Sequence, residues 1–145
     1  MSRPAVDVMD CTFVVAAPAE VAARIAQADV WRVCWPTLRL TVTEDRGVEG
    51  IRWRVDGEVR GSGEIWLQPW GDGVLVHWFL RAEPARAATS PRRTRRIRER
   101  LVRTYKAGIH ELKDRMELGR AVGAPRLARA RRGRTARTDA GSAAR

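Results

Sequence analysis

Hydrophobic and polar residues alternate along several short stretches of the chain, which is the pattern of half-buried β-strands. Strands are predicted at 6–15, at 38–44 and, as an antiparallel meander of three strands, within 50–83. Between the first and second strands a short helix is predicted in 16–27, and a second short helix or a turn in 28–36. In the first strand we expect the buried side to carry Met9, Cys11, Phe13 and Val15.

The last periodic segment of the chain has a helical repeat. Ser90 is a suitable N-cap and Pro91 a suitable first residue, and the helix is predicted to end near Glu117 or Gly119. A glycine in mid-helix, Gly108, indicates a close approach by the sheet or by a ligand. Spacings of three and four residues define one stripe, which consists of Ile97, Leu101, Tyr105, Gly108, Leu112 and Met116.

Two Asp-Gly pairs divide the predicted meander, and Asp-Gly between alternating apolar residues favours a tight hairpin turn. A two-residue turn at Asp72-Gly73 pairs Leu67 with Trp78 on a wholly apolar face. The same register places Trp66 and Phe79 together on the opposite face. We expect the apolar face to be the one that contacts the C-terminal helix.

The other Asp-Gly pair gives a conflict, because a two-residue turn at Asp56-Gly57 directs arginine side chains into the core. Buried arginines without partners are costly, so one extra residue is needed. We expect a β-bulge within 61–63, where glycines make it least costly. The bulge returns Trp53 and Val55 to the apolar side.

The net charge of +11 is unevenly distributed over the 145 residues. Residues 1–84 carry 9 arginines and 12 carboxylates, a net of −3, whereas 85–118 and 119–145 each carry a net of +7. The segment 119–145 has few apolar residues, so we predict a disordered basic tail after a single domain at 1–118. The tail is either simply solvated or a contact for RNA, DNA or another anionic surface.

Several classes of protein are excluded by what the sequence lacks. No apolar run is long enough to span a membrane, and the first residues do not form a signal peptide. Cys11 and Cys34 are neither a CxxC pair nor close to a histidine cluster, which excludes a zinc finger or disulfide scaffold and favours the cytoplasm. We predict no metal and no cofactor.

Three segments of the sequence match the pattern of a known family. They are the Val-Ala-Ala-Pro-Ala-Glu-Val sequence at Val15–Val21, the aromatic segment Trp31–Pro36, and Gly63–Gly73, which ends in Gly-Asp-Gly. With these segments the chain resembles the START/SRPBCC superfamily of polyketide cyclase-like and lipid-transfer-like proteins. The resemblance implies an α+β helix-grip fold, a curved antiparallel sheet wrapped around a long C-terminal helix. It also implies an apolar pocket between the sheet and that helix.

Residues on the apolar face and on the helix stripe are the candidates for lining this pocket. Tyr105 has the only hydroxyl of the stripe, so we expect it to hold the polar end of a ligand. Trp31 and Trp35 lie at the predicted pocket mouth, where they either gate it or pack the short helices on the sheet. The candidate ligand-binding residues, which could instead simply pack the core, are Trp53, Val55, Leu67, Trp78, Leu80, Tyr105 and Ile109.

The leading hypothesis is a carrier or sensor that binds a small hydrophobic or aromatic, polyketide- or lipid-like molecule. No catalytic group of residues can be named, because His77 and Glu64 fall on the outer face, with Glu64 opposite Arg81. The alternatives are a cyclase or aromatase, which only the resemblance implies, and RNA or DNA binding through the arginine-rich helix start and tail. A homodimer contact is predicted at the outer aromatic residues Trp66, Trp70 and Phe79.

Overall fold

The computed structural model describes residues 3–118. The predicted basic tail, 119–145, lies outside these residues, and its disorder stays a prediction. In chain order the elements are β1 (Val6–Val14), α1 (Pro18–Ile25), α2 (Ala28–Cys34), β2 (Leu38–Asp45), a turn of 3-10 helix (Gly47–Glu49), β3 (Gly50–Gly57), β4 (Val59–Trp70), β5 (Gly73–Pro84) and α3 (Pro91–Met116).

The five strands form one antiparallel sheet in the order β1-β5-β4-β3-β2. Buried and more exposed residues alternate along β3, β4 and β5, so each strand directs its apolar side chains to the same face. This inner face packs against α3, α1 and α2, and the opposite, outer face carries most of the charged residues of the strands. The predicted α+β helix-grip fold, with a curved antiparallel sheet and a long C-terminal helix, is confirmed.

The long helix α3 begins and ends close to the predicted positions. The Ser90 hydroxyl oxygen accepts a hydrogen bond from the Arg93 N–H at 3.2 Å and so caps the first turn. The close approach at Gly108 is by α2 and not by the sheet as predicted, because a Cβ on this glycine would lie 3.4 Å from the Cys34 Sγ. The buried side of α3 consists of Ile97, Leu101, Tyr105, Ile109 and Leu112.

The turn between β4 and β5 is Gly71-Asp72, one residue earlier than predicted. Gly71 has a φ of +56° and takes the position of the turn that requires a positive φ. Gly73 belongs to β5 instead, and a Cβ there would lie 2.3 Å from the Val14 carbonyl oxygen, so the neighbouring strand requires this glycine. The register is therefore offset by two residues and pairs Leu67 with Val76, but the same side chains face inward.

The predicted bulge at 61–63 is wrong. The register between β3 and β4 is regular there, with Val55 opposite Gly61. The extra residues lie in the connection, 56–60, because the end of β3 pairs with β2 while the start of β4 pairs with β5. This longer connection has the same effect on the alternation as the bulge, and Trp53 and Val55 are buried on the inner face as predicted.

The strand β1 presents the face opposite to the predicted one. Of the predicted buried set only Val15, just beyond the end of the strand, is buried, whereas Met9 and Cys11 are exposed. Asp10 therefore faces inward, beneath α3. Lys106 of α3 forms an ion pair with the Asp10 carboxylate, which allows a charged residue on this face. The buried residues of β1 are Val6, Val8 and Val14.

Candidate ligand-binding site

The residues predicted to line a pocket all lie between the sheet and α3. Each has at most 4% of its surface exposed, and each belongs to one continuous hydrophobic core. Since they contact one another in this core, their role as ligand contacts stays a prediction. They are Trp53, Val55, Leu67, Trp78, Leu80, Tyr105 and Ile109.

Five aromatic rings fill the centre of this layer. They form the inner aromatic cluster, which consists of Trp31, Trp35, Trp53, Trp78 and Tyr105. The Tyr105 ring stacks on Trp78 with centroids 4.1 Å apart, and Trp78 stacks on Trp35 at 5.2 Å. Trp31 continues the stack from Trp35 at 5.1 Å and meets Trp53 edge-on at 5.3 Å. The rings are therefore in contact from α3 to the β3 side of the sheet.

The helix α2 turns Trp31 and Trp35 into the core, because residues four apart lie on the same face of a helix. The Trp31 Nε1–H donates a hydrogen bond to the Ile25 carbonyl oxygen at 2.7 Å, and the Trp35 Nε1–H donates to the Leu101 carbonyl oxygen at 3.1 Å. Both indoles are buried and their N–H groups are satisfied. Trp35 thus packs α2 against α3, while Trp31 also lines the cleft that opens beside it.

The Tyr105 hydroxyl is buried and has no hydrogen-bond partner within residues 3–118. Burial raises the pKa of this hydroxyl, and the nearby Asp10 carboxylate raises it further, so the group stays protonated. A buried donor without a partner costs about 1–3 kcal/mol. Tyr105 is therefore a polar atom in the inner layer that water or a ligand could satisfy.

A cleft of about 470 Å³ opens between α2 and β2, and we call it the α2–β2 cleft. Trp31 and Trp53 of the inner aromatic cluster form part of its lining. Leu40 and Val42 lie opposite Val55 and Trp53 in the β2–β3 register, so both share the inner face. The full lining is Ala26, Ala28, Trp31, Arg32, Leu38, Arg39, Leu40, Thr41, Val42 and Trp53.

The strand wall of this cleft was missed by sequence reasoning. The alternation of Leu38, Leu40 and Val42 predicts the strand, but it does not tell whether a helix covers them. In the structure β2 is an edge strand, and 52% of the Val42 surface is exposed. The cleft is recognised from an apolar edge strand that no helix covers and that lies beside two indoles, and only the fold shows this arrangement.

The Asp10–Lys106 ion pair of the inner face lies at the other edge of the sheet from the α2–β2 cleft, since Asp10 is in β1 and the cleft is at β2. Along the curved sheet, four strand spacings of about 4.8 Å separate these two edges by roughly 19 Å. The buried Tyr105 is nearer, because its ring centroid lies 6.4 Å from that of Trp31 in the cleft lining. The ionisable residues that line the cleft are Arg32 and Arg39.

A second groove, of about 570 Å³, lies between α2 and α3 and contains Cys34. The Cys34 Sγ–H donates to the Thr104 carbonyl oxygen at 3.2 Å. Burial raises the pKa of the Cys34 thiol to about 12, so the thiol is protonated at neutral pH and is a poor nucleophile. The groove therefore has no reactive cysteine.

The outer face carries a second group of rings, the outer aromatic patch, which consists of Trp66, Trp70, His77 and Phe79. His77 stacks on Trp66 at 4.6 Å, and its Nε2 lies 3.0 Å from the Gln68 Oε1. Glu64 pairs with Arg52, not with Arg81 as predicted, because the register is offset. His77 and Glu64 thus lie on the face away from the cleft.

Within residues 3–118, no group of three His, Cys, Asp or Glu side chains could hold a metal ion. The same part of the chain contains no helix with the length and apolar character needed to cross a membrane. The prediction that the protein needs no cofactor stays a prediction.

Comparisons with known proteins connect this chain to others through its fold. No family model and no curated protein matches it. Solved structures do match: the protein DR_A0006 of Deinococcus radiodurans is 16% identical, with a TM-score of 0.55 over 78% of this chain and 98% of its own. The Aha1 dimer of Colwellia psychrerythraea is 12% identical, with a TM-score of 0.54 over 80% of this chain and 99% of its own.

A third similar structure is the di-domain ARO/CYC protein StfQ of the steffimycin biosynthetic pathway. It is 17% identical, with a TM-score of 0.53 over 74% of this chain and 49% of its own. At these identities the likeness shows the fold alone. The chain is thus a helix-grip protein, and its activity has to be argued from its own residues.

Proposed function

We propose that this protein binds a small hydrophobic or aromatic molecule in the α2–β2 cleft, as a carrier or sensor. The observation that supports this most directly is the uncovered wall of β2, where Leu40 and Val42 line one cleft with Trp31 and Trp53. The volume of about 470 Å³ is within the range of small-molecule sites, roughly 300–1,000 Å³. Since only 6% of Trp31 and 4% of Trp53 is exposed, most of the apolar surface open to a ligand belongs to β2 residues such as Val42.

Arg32 gives the cleft its polar side. Its side chain is exposed, and a guanidinium group donates strongly to carboxylate, phenolate or carbonyl oxygens, whereas Arg39 alternates with Leu38 and Leu40 and so faces the outer side of β2. A ligand with an aromatic body and one oxygen-rich end would place its ring against the apolar wall of β2 and its oxygens near Arg32. A polyketide-like molecule has this chemistry.

The pocket predicted between the sheet and α3 is kept in this proposal as an inner extension of the cleft. Trp31 lines the cleft on one side and lies 6.4 Å, centroid to centroid, from the Tyr105 ring on the other. In the proposal Trp31 acts as the gate, and once the indole turns aside the Tyr105 hydroxyl forms a hydrogen bond with a second polar atom at the inner end of the ligand.

The cyclase or aromatase alternative has less support. StfQ is described as an ARO/CYC protein, but its likeness to this chain concerns the fold. Proton transfer needs a general acid or base near the reacting atoms, and arginine is too basic to serve. Asp10 is held in an ion pair with Lys106, and burial raises the pKa of the Tyr105 hydroxyl, so Tyr105 stays protonated near neutral pH. Binding without chemistry is therefore the better-supported function.

We also propose that the outer aromatic patch is a homodimer contact. The single domain at 1–118 and the cytoplasmic location stay proposals as well. In a two-fold dimer the same surface of both copies meets, so its charges must complement themselves. The rim of the patch carries both signs, in the pairs Arg52 with Glu64 and Arg81 with Asp7. A rim with charges of both signs permits two copies to associate, whereas a rim with charges of one sign would make the two copies repel each other.

The proposed ligand site is tested by a neutral aromatic probe, N-phenyl-1-naphthylamine, whose fluorescence rises in apolar sites. Val42→Glu places a charge in the α2–β2 cleft, and Val48→Glu is the matched control, since 52% and 54% of the two valines are exposed and only Val42 lines the cleft. We expect Val42→Glu to weaken probe binding about tenfold, because burying the charge against the probe is unfavourable. Equal affinities of the two variants, or no binding by the original protein, would contradict the proposal.

A further inference from the structure

The two halves of α3 differ in how their positive charges are compensated. In the second half each basic residue has an acidic partner: Lys106 pairs with Asp10, Lys113 with Glu117, and Arg115 with Glu111. In the first half, within 91–103, there are seven arginines and one glutamate, and Arg100 pairs with Glu58. Both halves belong to one helix, so the uncompensated positive charge is confined to the first half of α3.

Six exposed arginines of the first half have no acidic side chain within 4.0 Å among residues 3–118. They form the arginine ridge, which consists of Arg92, Arg93, Arg95, Arg96, Arg98 and Arg103. Like charges three and four residues apart on a helix repel each other by about 0.2–0.5 kcal/mol per pair. The positive end of the helix dipole adds to this repulsion. An anionic partner along the ridge would remove both penalties.

The ridge has the length and direction of an extended contact. At about 100° and 1.5 Å per residue, Arg92, Arg96 and Arg103 fall within about 40° of one another and span about 16 Å of the helix axis, with the exposed Glu99 on the same side between Arg96 and Arg103. One strand of DNA has a phosphate about every 3.4 Å along its axis, so the arginines on either side of Glu99 can contact separate phosphates of one strand. Arg92 and Arg96 also line a groove of about 290 Å³ together with Arg93, Arg100 and Glu58.

The apolar residues of α3 argue against a membrane as the partner. Helices that lie on a bilayer insert an exposed apolar face, often with Trp, Phe or Leu. The apolar stripe of α3 is buried against the sheet, and no large hydrophobic residue between Pro91 and Met116 is exposed. A charged, non-inserting surface fits a nucleic acid better than a lipid surface.

We infer that the arginine ridge binds the phosphate backbone of a nucleic acid strand, independently of the ligand proposed for the α2–β2 cleft. Arginine forks match phosphate oxygens in geometry, and the planar guanidinium loses less rotamer freedom per hydrogen bond formed than a lysine ammonium does. Phosphate contacts carry no sequence information directly, so we expect the contact to be independent of sequence. It is a second function, beyond ligand binding.

The test measures the affinity of the full chain for an oligo(dT) strand of about 20 nucleotides, by fluorescence anisotropy from about 50 to about 300 mM salt. The ridge variant is Arg92→Gln with Arg96→Gln and Arg103→Gln. The control is Arg129→Gln with Arg131→Gln and Arg132→Gln in the tail, which removes the same charge. Glutamine preserves helix propensity, so the ridge variant should keep its fold and its melting temperature.

We expect the ridge variant to bind at least about tenfold more weakly and its salt slope, log K against log salt, to fall by about 2, since each phosphate contact contributes roughly 0.7 for single strands. The tail control should lose clearly less affinity for oligo(dT) than the ridge variant does. Equal losses in both variants would overturn the inference, because net charge alone would then explain binding. It would also be overturned if the original chain failed to bind oligo(dT), or if vesicles with anionic lipid bound more tightly and showed the same dependence on the ridge.

Discussion

The inner aromatic cluster and the outer aromatic patch are both built around tryptophans and lie on opposite faces of the same sheet, and their surroundings are opposite. Four of the six tryptophans are in the inner cluster, where they are buried and stacked on one another and on Tyr105. The other two, Trp66 and Trp70, are on the outer face, and 61% of Trp70 is exposed. For the four tryptophans on strands the difference arises from strand alternation, since neighbouring residues of a strand point to opposite faces, whereas α2 directs Trp31 and Trp35 onto the inner face.

The comparison shows which aromatic residues stabilise the fold and which are available for contacts. In the inner cluster Trp31 and Trp35 donate their N–H groups to backbone carbonyl oxygens, so the rings have both apolar and polar partners. In the outer patch His77 rests on Trp66, and Trp70 has no ring partner among the described residues. Loss of an inner ring should therefore affect stability, and loss of an outer ring should affect association.

The largest expected effect is on folding. Trp78→Ala removes the ring that stacks on both Tyr105 and Trp35, and we expect the free energy of unfolding to fall by about 3–5 kcal/mol. The matched variant Trp70→Ala should change it by less than about 1 kcal/mol, since surface substitutions have small effects. Urea unfolding followed by circular dichroism measures both. Similar losses of unfolding free energy in the two variants would show that the inner and outer faces do not differ as described.

An intermediate effect is expected on self-association. Trp66→Ser together with Trp70→Ser should weaken the proposed homodimer by at least about 2 kcal/mol, roughly thirtyfold in dissociation constant, because aromatic residues dominate such contacts. Val33→Ser with Val48→Ser, two exposed valines outside the outer aromatic patch, is the control. Light scattering over a concentration series gives the masses. A monomer at every concentration of the original protein would rule out the contact.

Much of the fold was predictable because it follows from periodicity. The stripe on α3 and the inward set on β4 and β5 depend on repeats that are visible in the sequence. The turn was misplaced because Gly71 and Gly73 are both permissive, and the choice depends on Val14 of a distant strand. Likewise, the prediction of the buried face of β1 was wrong because Asp10 can lie on the inner face when Lys106, which is far away in the chain, forms an ion pair with it.

The candidate site was less predictable than the fold. The sequence indicated the indoles and Tyr105, but not how closely they would stack on one another. It also predicted β2 as a strand without showing that β2 would be an uncovered edge, which is what opens the α2–β2 cleft. Edge position and coverage depend on the order of strands in the sheet, and no local pattern in the sequence encodes that order.

The smallest expected effect concerns the one hydroxyl of the inner aromatic cluster. Tyr105→Phe removes a buried donor that has no partner within residues 3–118 while keeping the ring on Trp78. The free energy of unfolding should stay the same or rise by up to about 1 kcal/mol, because an unsatisfied polar group is lost without leaving a cavity. Thermal and urea unfolding of both proteins without ligand measure this change. A loss of about 1 kcal/mol or more would instead mean that the hydroxyl already has a bound water as its partner, and a ligand would then have to displace that water to use Tyr105.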